Sequence, residues 1–163
     1  MTAALLDRRL QELGASAVVR TAGFVGEGEP ATFETVRILR DRSIDVSRHR
    51  SRRIDDHLAG RSNLVVTAEH QHVIEISGRS PGAFAKTFTL PELVQRGEAV
   101  GARSGTDVDD WLALINEDRP TALDYMDATV DEIADPTGRS PRHWERAIAE
   151  IDDLTARLVK LLA

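Results

Sequence analysis

Arg48, Arg50, Arg52 and Arg53 surround His49, the most basic stretch of a chain whose formal net charge is −6. Cations gathered on one loop attract anions. The stretch follows a helix-like run and sits between two strand-like runs, residues 17–21 and 63–68. A short link between parallel strands passes the C-terminal edge of the sheet, where open α/β folds place their sites. The second chemical candidate is a carboxylate. Asp135 stands ahead of Pro136, Thr137 and Gly138. Proline stiffens that corner and glycine lets it turn tightly. Asp135 is therefore either a proton donor held in place or a plain turn initiator.

Other combinations of residues are weaker. His70 and His72 lie two apart, so on a helix they do not face each other, and no carboxylate at helical spacing completes a metal site. Asp107, Asp109 and Asp110, and then Asp127, Asp131 and Glu132, do not match the spacing and glycine of a calcium loop, and read as solvated faces. The acidic total and the lack of aromatics among the arginines exclude a nucleic-acid surface and argue for a solvated, anion-steering rim. The sequence contains no cysteine, so disulfides, thiolate metal sites and a cysteine nucleophile are absent from residues 1–163. No apolar run is long enough for a bilayer and no signal peptide is visible, so a cytoplasmic protein with no membrane partner is expected.

A length of 163 residues suits a single domain, 1–163, with a real core. Leu5, Leu6, Leu10 and Leu13 recur at helical spacing, predicting a helix over 2–13 that Thr2 can cap and Gly14 ends. Residues 17–21 (Ala-Val-Val-Arg-Thr) predict a short strand, and the glycine-rich 23–30 a loop. A helix is expected over 31–42, with Phe33, Val36, Ile38 and Leu39 as candidate core. Ser51 is expected to cap a short helix ended by Gly60. Residues 63–68 (Asn-Leu-Val-Val-Thr-Ala) form the clearest strand, apolar enough for burial on both faces. A helix over 69–76, a polar turn over 77–82 with Pro81, and a strand over 86–89 follow, and Pro91 opens a helix to about residue 98. Residues 101–106 read as loop, 107–116 as helix and 117–139 as irregular. Segments that long are usually functional or disordered. Ser140-Pro141 starts a last helix whose stripe is Trp144, Ile148, Ile151, Thr155, Leu158 and Leu162. Strands alternating with helices imply a parallel three-layer α/β sheet.

Several segments, taken together in this order and spacing, carry a resemblance. They are Thr21-Ala22-Gly23, Gly28-Glu29-Pro30, Ile44-Asp45-Val46-Ser47-Arg48-His49-Arg50-Ser51-Arg52, Asn63-Leu64-Val65-Val66-Thr67, Lys86-Thr87-Phe88-Thr89-Leu90 and Asp135-Pro136-Thr137-Gly138. The chain resembles the low-molecular-weight protein tyrosine phosphatase family, whose relatives include arsenate reductases. The resemblance implies a flavodoxin-like, three-layer fold with a parallel four-stranded sheet in order 2-1-3-4. It implies hydrolysis of phosphate monoesters, phosphotyrosine above all, through a phosphocysteine. A thiolate attacks phosphorus, and backbone N–H groups and an arginine hold the phosphate oxygens. In that scheme Asp135 is the general acid, Thr21 and His49 hydrogen-bond the phosphate loop from behind, and Phe24 is a wall of the substrate pocket. No cofactor and no metal are implied. The partners are a phosphorylated protein or small phosphate ester, and inorganic phosphate or a similar anion.

The chain departs from the family in two places. The Cys-x5-Arg loop that defines the family, and the first strand before it, have no counterpart. The helix over 2–13 looks like the segment that directly follows that loop, so a start assigned to an internal methionine is the expected reason. The missing strand is a central one, flanked in the family by residues 17–21 and 63–68, so two unpaired edges are expected, and with them low thermal stability, aggregation or a strand-sharing oligomer, unless the chain pairs differently. Secondly, aromatic residues often follow the family's Asp-Pro, whereas Thr137, Gly138 and Arg139 stand here. Without a thiolate, residues 1–163 are expected to be inactive. A non-catalytic domain of the same fold that binds anions or a partner is the main alternative. An arsenate-reductase-like role, which needs further cysteines, is the more distant one.

Overall fold

The computed structural model describes residues 1–80 and 82–163. Its elements, in order, are α1 (Thr2–Glu12), α2 (Phe33–Arg40), α3 (Asp56–Arg61), β1 (Val65–Thr67), α4 (His70–Arg79), a 3-10 turn (Phe84–Lys86), β2 (Thr87–Thr89), α5 (Leu90–Val100), α6 (Val108–Asn116), α7 (Ala122–Tyr125) and α8 (Pro141–Leu162). They are organised in two compact units. One comprises Met1–Ile54 and Pro136–Ala156, and the other Asp55–Asp135 and Arg157–Ala163.

In the first unit Leu5 and Leu10 of α1, Ile38 and Leu39 of α2, and Trp144, Ile148 and Ile151 of α8 are buried. Helical spacing selects these positions, but of the others it selects Leu6 and Val36 are half-buried and Leu13 is exposed. Arg9 binds α1 to α8 through Asp152 Oδ1 at 2.8 Å. Arg8 reaches past α2 to the Arg42 carbonyl at 2.7 Å. Thr32 caps α2, its hydroxyl accepting the Thr35 N–H. Phe33, expected in the core, is 77% exposed. It is the first residue of α2, a turn before Ile38 and Leu39.

Residues 17–21 do not form the expected strand. Among the described residues, the first unit's pairing beyond its helices is an isolated parallel bridge, Gly23 with Arg53. A β-branched run becomes a strand only against a neighbour that completes its ladder and covers its side chains. This run has neither, and Val18 is 80% exposed.

The second unit holds the sheet, in which β1 and β2 are parallel with Val65, Val66 and Thr67 opposite Thr87, Phe88 and Thr89. α4 and the 3-10 turn make the crossover that a parallel pair requires. β2 is fully buried, as its burial on both faces demands, whereas β1 is only half-buried and shorter than the expected 63–68. The α/β architecture is as expected, and the short sheet agrees with the absence of a central strand.

Several local expectations are corrected. Asp55, not Ser51, caps the helix after the basic loop, its Oδ1 accepting the Leu58 N–H at 2.6 Å. Gly60 lies inside that helix and does not end it. The polar turn expected over 77–82 begins later, because α4 continues through Ser77 and Gly78 to Arg79. Inside the helix the Ser77 hydroxyl finds its partner by donating back to the Val73 carbonyl at 2.7 Å. The part of that turn at Pro81 lies outside the described residues. Segment 117–139 is irregular, as expected, except for α7. Among the described residues no helix is long and apolar enough to cross a membrane.

Candidate active site

In the first unit the basic stretch is a loop shaped by short-range bonds. Asp45 Oδ1 accepts the Ser47 N–H at 2.9 Å, which turns the chain into it. That backbone bond, then the Ser47 hydroxyl and the charges of Arg40 and Arg48, hold the Asp45 carboxyl below its ordinary range. Arg50 folds back onto its own loop, donating to the carbonyls of His49 at 2.7 Å and Ser47 at 3.3 Å.

The loop then runs beside residues 23–29. Gly23 N–H donates to Arg52 O at 2.9 Å, and Ile54 N–H to Gly23 O at 2.8 Å. Gly28 N–H donates to Ser51 O and Ser51 N–H to Glu29 O, both at 2.8 Å. The Ser51 hydroxyl accepts the Glu29 N–H at 3.0 Å. Gly26 and Gly28 both have φ near +75°, the left-handed region that glycine enters without strain. Thr21 and Phe24 flank Gly23, and His49 belongs to the loop that returns to it. The structure therefore places these three expected site residues on one backbone-paired loop system. Thr21 is exposed, and Phe24 and His49 are half-buried.

Asp135 belongs to the second unit, at the end of segment 117–135. Two residues before it, the buried Ile133 donates its N–H to the Ala68 carbonyl, just past β1, at 2.9 Å. The Thr89 hydroxyl, at the end of β2, donates to the Asp131 carbonyl at 2.7 Å. Glu132 accepts the His70 N–H in the first turn of α4 at 2.9 Å, a favourable place for a carboxylate. The segment that carries Asp135 thus lies on the C-terminal ends of both parallel strands, where α/β folds build sites. Asp135 itself is exposed.

Beneath this segment is a polar cluster that residue-by-residue reading missed. Glu92, in the first turn of α5, receives Arg119 through Nε at 2.9 Å and Nη2 at 3.2 Å. It also receives Arg96 Nε at 3.2 Å and the Tyr125 hydroxyl at 2.7 Å. Arg119 donates further to the carbonyls of Phe84 at 2.6 Å and Thr87 at 2.8 Å. Its guanidinium carbon lies 4.0 Å from the ring centres of both Phe84 and Phe88. The Arg119 and Glu92 side chains are 1% and 6% exposed, so the pair survives burial only because its donors and acceptors are matched. Burial, then the Glu92 bond and charge, push the Tyr125 hydroxyl well above the ordinary tyrosine value, while Arg119 pulls the other way. One local signal was available. Thr89-Leu90-Pro91-Glu92 reads as a capping box. The Thr89 hydroxyl does accept the Glu92 N–H, but the glutamate carboxylate turns to Arg119 instead of back to the cap.

Among the described residues, no three histidine, aspartate or glutamate side chains converge as a metal ion would require.

Comparison with known proteins agrees with this architecture. The family profile described as low molecular weight phosphotyrosine protein phosphatase matches residues 1–113. Among solved structures, the chain is similar to the YwlE arginine phosphatase from Geobacillus stearothermophilus, at 26% identity and TM-score 0.68, covering 97% of this chain and 80% of that one. It is similar to a low molecular weight protein tyrosine phosphatase from T. tengcongensis, at 20% identity and TM-score 0.71, covering 99% and 88%. It is similar also to Vibrio vulnificus Wzb in complex with benzylphosphonate, at 19% identity and TM-score 0.68, covering 99% and 88%. A search of curated proteins finds no match.

Proposed function

Because the chain belongs to the low molecular weight phosphotyrosine protein phosphatase family, we propose that residues 1–163 supply the acid and the flanking loops of a phosphate-ester hydrolase, with Asp135 as the general acid. The observation that supports this reading is that Asp131 and Ile133, just ahead of Asp135, are bonded at the C-terminal ends of β1 and β2, the edge where α/β folds build sites. In the reaction a thiolate attacks phosphorus while Asp135 protonates the departing oxygen. Asp135 then takes a proton from the water that releases phosphate from the phosphocysteine. Family membership implies for Thr21 and His49 the orienting of a phosphate-holding loop and for Phe24 a wall of the substrate pocket, and the arginines of the basic loop attract anions. The substrate is a phosphorylated protein side chain or a small phosphate ester. The lack of an aromatic at 137–139 and the likeness to an arginine phosphatase favour a phosphorylated side chain other than tyrosine.

Residues 1–163 contain no cysteine. Turnover therefore needs a thiolate that they do not provide, and the same fact favours a second reading, a non-catalytic domain that binds phosphate or a partner. Purified residues 1–163 hydrolyse no aryl phosphate above background in either reading. The two part in a form that carries the family's Cys-x5-Arg loop. There Asp135→Asn lowers turnover by about 10²–10⁴-fold, with the smallest loss for substrates whose leaving group is already a weak base. If Asp135→Asn leaves turnover of a poor-leaving-group aryl phosphate intact, Asp135 is a turn residue and the acid assignment is wrong. No turnover at all in that form favours the binding domain.

A further inference from the structure

Asp135 is only as well placed as the segment that carries it. That segment is fastened to the sheet mainly by side chains. Arg119 anchors its start on Glu92 and on the backbone of β2. The Asp131 carbonyl, the Glu132 carboxylate and the Ile133 N–H anchor its end. Between these lies Tyr125, the chain's one tyrosine, held at both of its ends. Its hydroxyl donates to Glu92 Oε2 at 2.7 Å and its carbonyl meets His70 Nε2 at 2.9 Å. Its ring stands edge-on to His70 and Phe84, with centroids 4.7 and 5.1 Å away.

Glu92 is the shared acceptor, taking Arg119 Nε and Arg96 Nε on one oxygen, and Arg119 Nη2 and the Tyr125 hydroxyl on the other. These donors differ in what their loss would do. Removing Arg119 unpairs a buried carboxylate and disturbs the whole unit. Removing the Tyr125 hydroxyl leaves the ion pair and the ring packing in place and frees only the segment.

We infer that Tyr125 is a positioning residue for Asp135: its hydroxyl bond to Glu92 fastens segment 121–135 to the buried ion pair, and so fixes where the carboxylate of Asp135 is presented. The functional meaning rests on the reading of Asp135 as the acid, whereas the fastening itself does not. Tyr125 touches no reacting atom. It acts through the backbone that runs from α7 to Ile133.

Hydrogen exchange on the 163-residue protein tests this directly. In Tyr125→Phe the amides of segment 121–135, led by Ile133 and Ala128, exchange at least about tenfold faster, the size expected from one lost hydrogen bond to a charged group. The amides of Leu93 and Val94 in α5 and of Ile115 in α6 keep their rates. Glu132→Ala, a change at an exposed side chain, loosens the same amides by removing the tie to α4, independently of the core. Acceleration of α5, α6 and the segment by one common factor in Tyr125→Phe means that the hydroxyl serves only global stability, and overturns the proposal. Unchanged exchange in the segment overturns it as well. Neither result depends on proton transfer. If Asp135→Asn proves harmless to turnover while Tyr125→Phe loosens the segment, the acid reading fails and the fastening stands. If Asp135→Asn is costly and exchange does not change, the acid reading stands and the fastening fails.

Discussion

The loop system of the first unit and the loop of the second are held by different chemistry. Residues 23–29 and 51–54 are joined almost wholly through main-chain groups, from Gly23 to Arg52 and Ile54, and from Gly28 and Glu29 to Ser51. Much of this system is exposed, Val25 to 86%, while Phe24 and Ser51 are half-buried. Segment 117–135 is joined mainly through side chains, apart from the main-chain bond of Ile133 to Ala68, and its anchor is a buried ion pair capped by a tyrosine. A main-chain tie asks only for the right backbone conformation, so most substitutions leave it standing. A side-chain tie built on buried charge tolerates almost none, because each partner removed leaves the other uncompensated. The part that carries the candidate acid is thus the part with the narrowest sequence tolerance.

The largest effect expected from this contrast is at Arg119. Arg119→Met leaves Glu92 buried without its main partner and destabilises the second unit by about 3–5 kcal/mol. The double variant Glu92→Leu with Arg119→Met removes both charges and regains much of that loss, so the two changes are far from additive. Urea melts of the single and double variants provide the comparison. Additive losses would show that the pair is not coupled and that the cluster is packing alone.

A second test is alkaline titration. Burial first, and then Glu92, raise the Tyr125 hydroxyl above its ordinary value of 10.0 in the folded protein. A group raised on folding stabilises the fold fully below its ordinary value, and that stability is lost as pH climbs from there toward the folded value. The expected outcome is constant stability of the second unit up to about pH 10, followed by a decline that Tyr125→Phe lacks. With only one tyrosine in the chain, tyrosinate absorbance reports it without interference. It should appear together with unfolding and not as a separate step near pH 10. A separate early step would place the hydroxyl in solvent and remove it from the cluster.

This contrast also marks where the sequence was readable. Most of the α8 stripe, from Trp144 to Leu158, follows from periodicity, which is local, although Leu161 is buried where Leu162 was expected. The tie of Ile133 to Ala68 was not legible, since no local pattern points from one to the other, and Asp135 was singled out only through the resemblance. Glu92 and Arg119 were not legible, because 27 residues separate them and each looks like a solvated charge in its own neighbourhood. Residues 17–21 failed for the opposite reason. Their β-branched composition is a real local preference, but a strand also needs a neighbour, and composition does not supply one.

The smallest effect, and the sharpest test of the first unit, is at Val18. Its side chain is 80% exposed and its run has no ladder partner among the described residues, although the run still has the composition of a strand. If the run stays unpaired in solution, Val18→Lys changes nothing of consequence. A substitution at an exposed position with no special role moves stability by at most about 0.5 kcal/mol. If the run pairs with a second copy, it acts as an apolar edge, and a lysine on that edge blocks pairing by placing charge where two chains would meet. The protein would then pass from oligomer to monomer, and the concentration dependence of its melting temperature would disappear. Sedimentation of the parent and Val18→Lys proteins over a range of concentrations separates the two. A parent that is monomeric throughout, with a melt unaltered by the lysine, removes strand sharing from the account and leaves the main-chain ties of Gly23, Gly28 and Ser51 as what holds this loop system. A parent oligomer dispersed by the lysine shows instead that the first unit, unlike the second, completes its edge only with a partner.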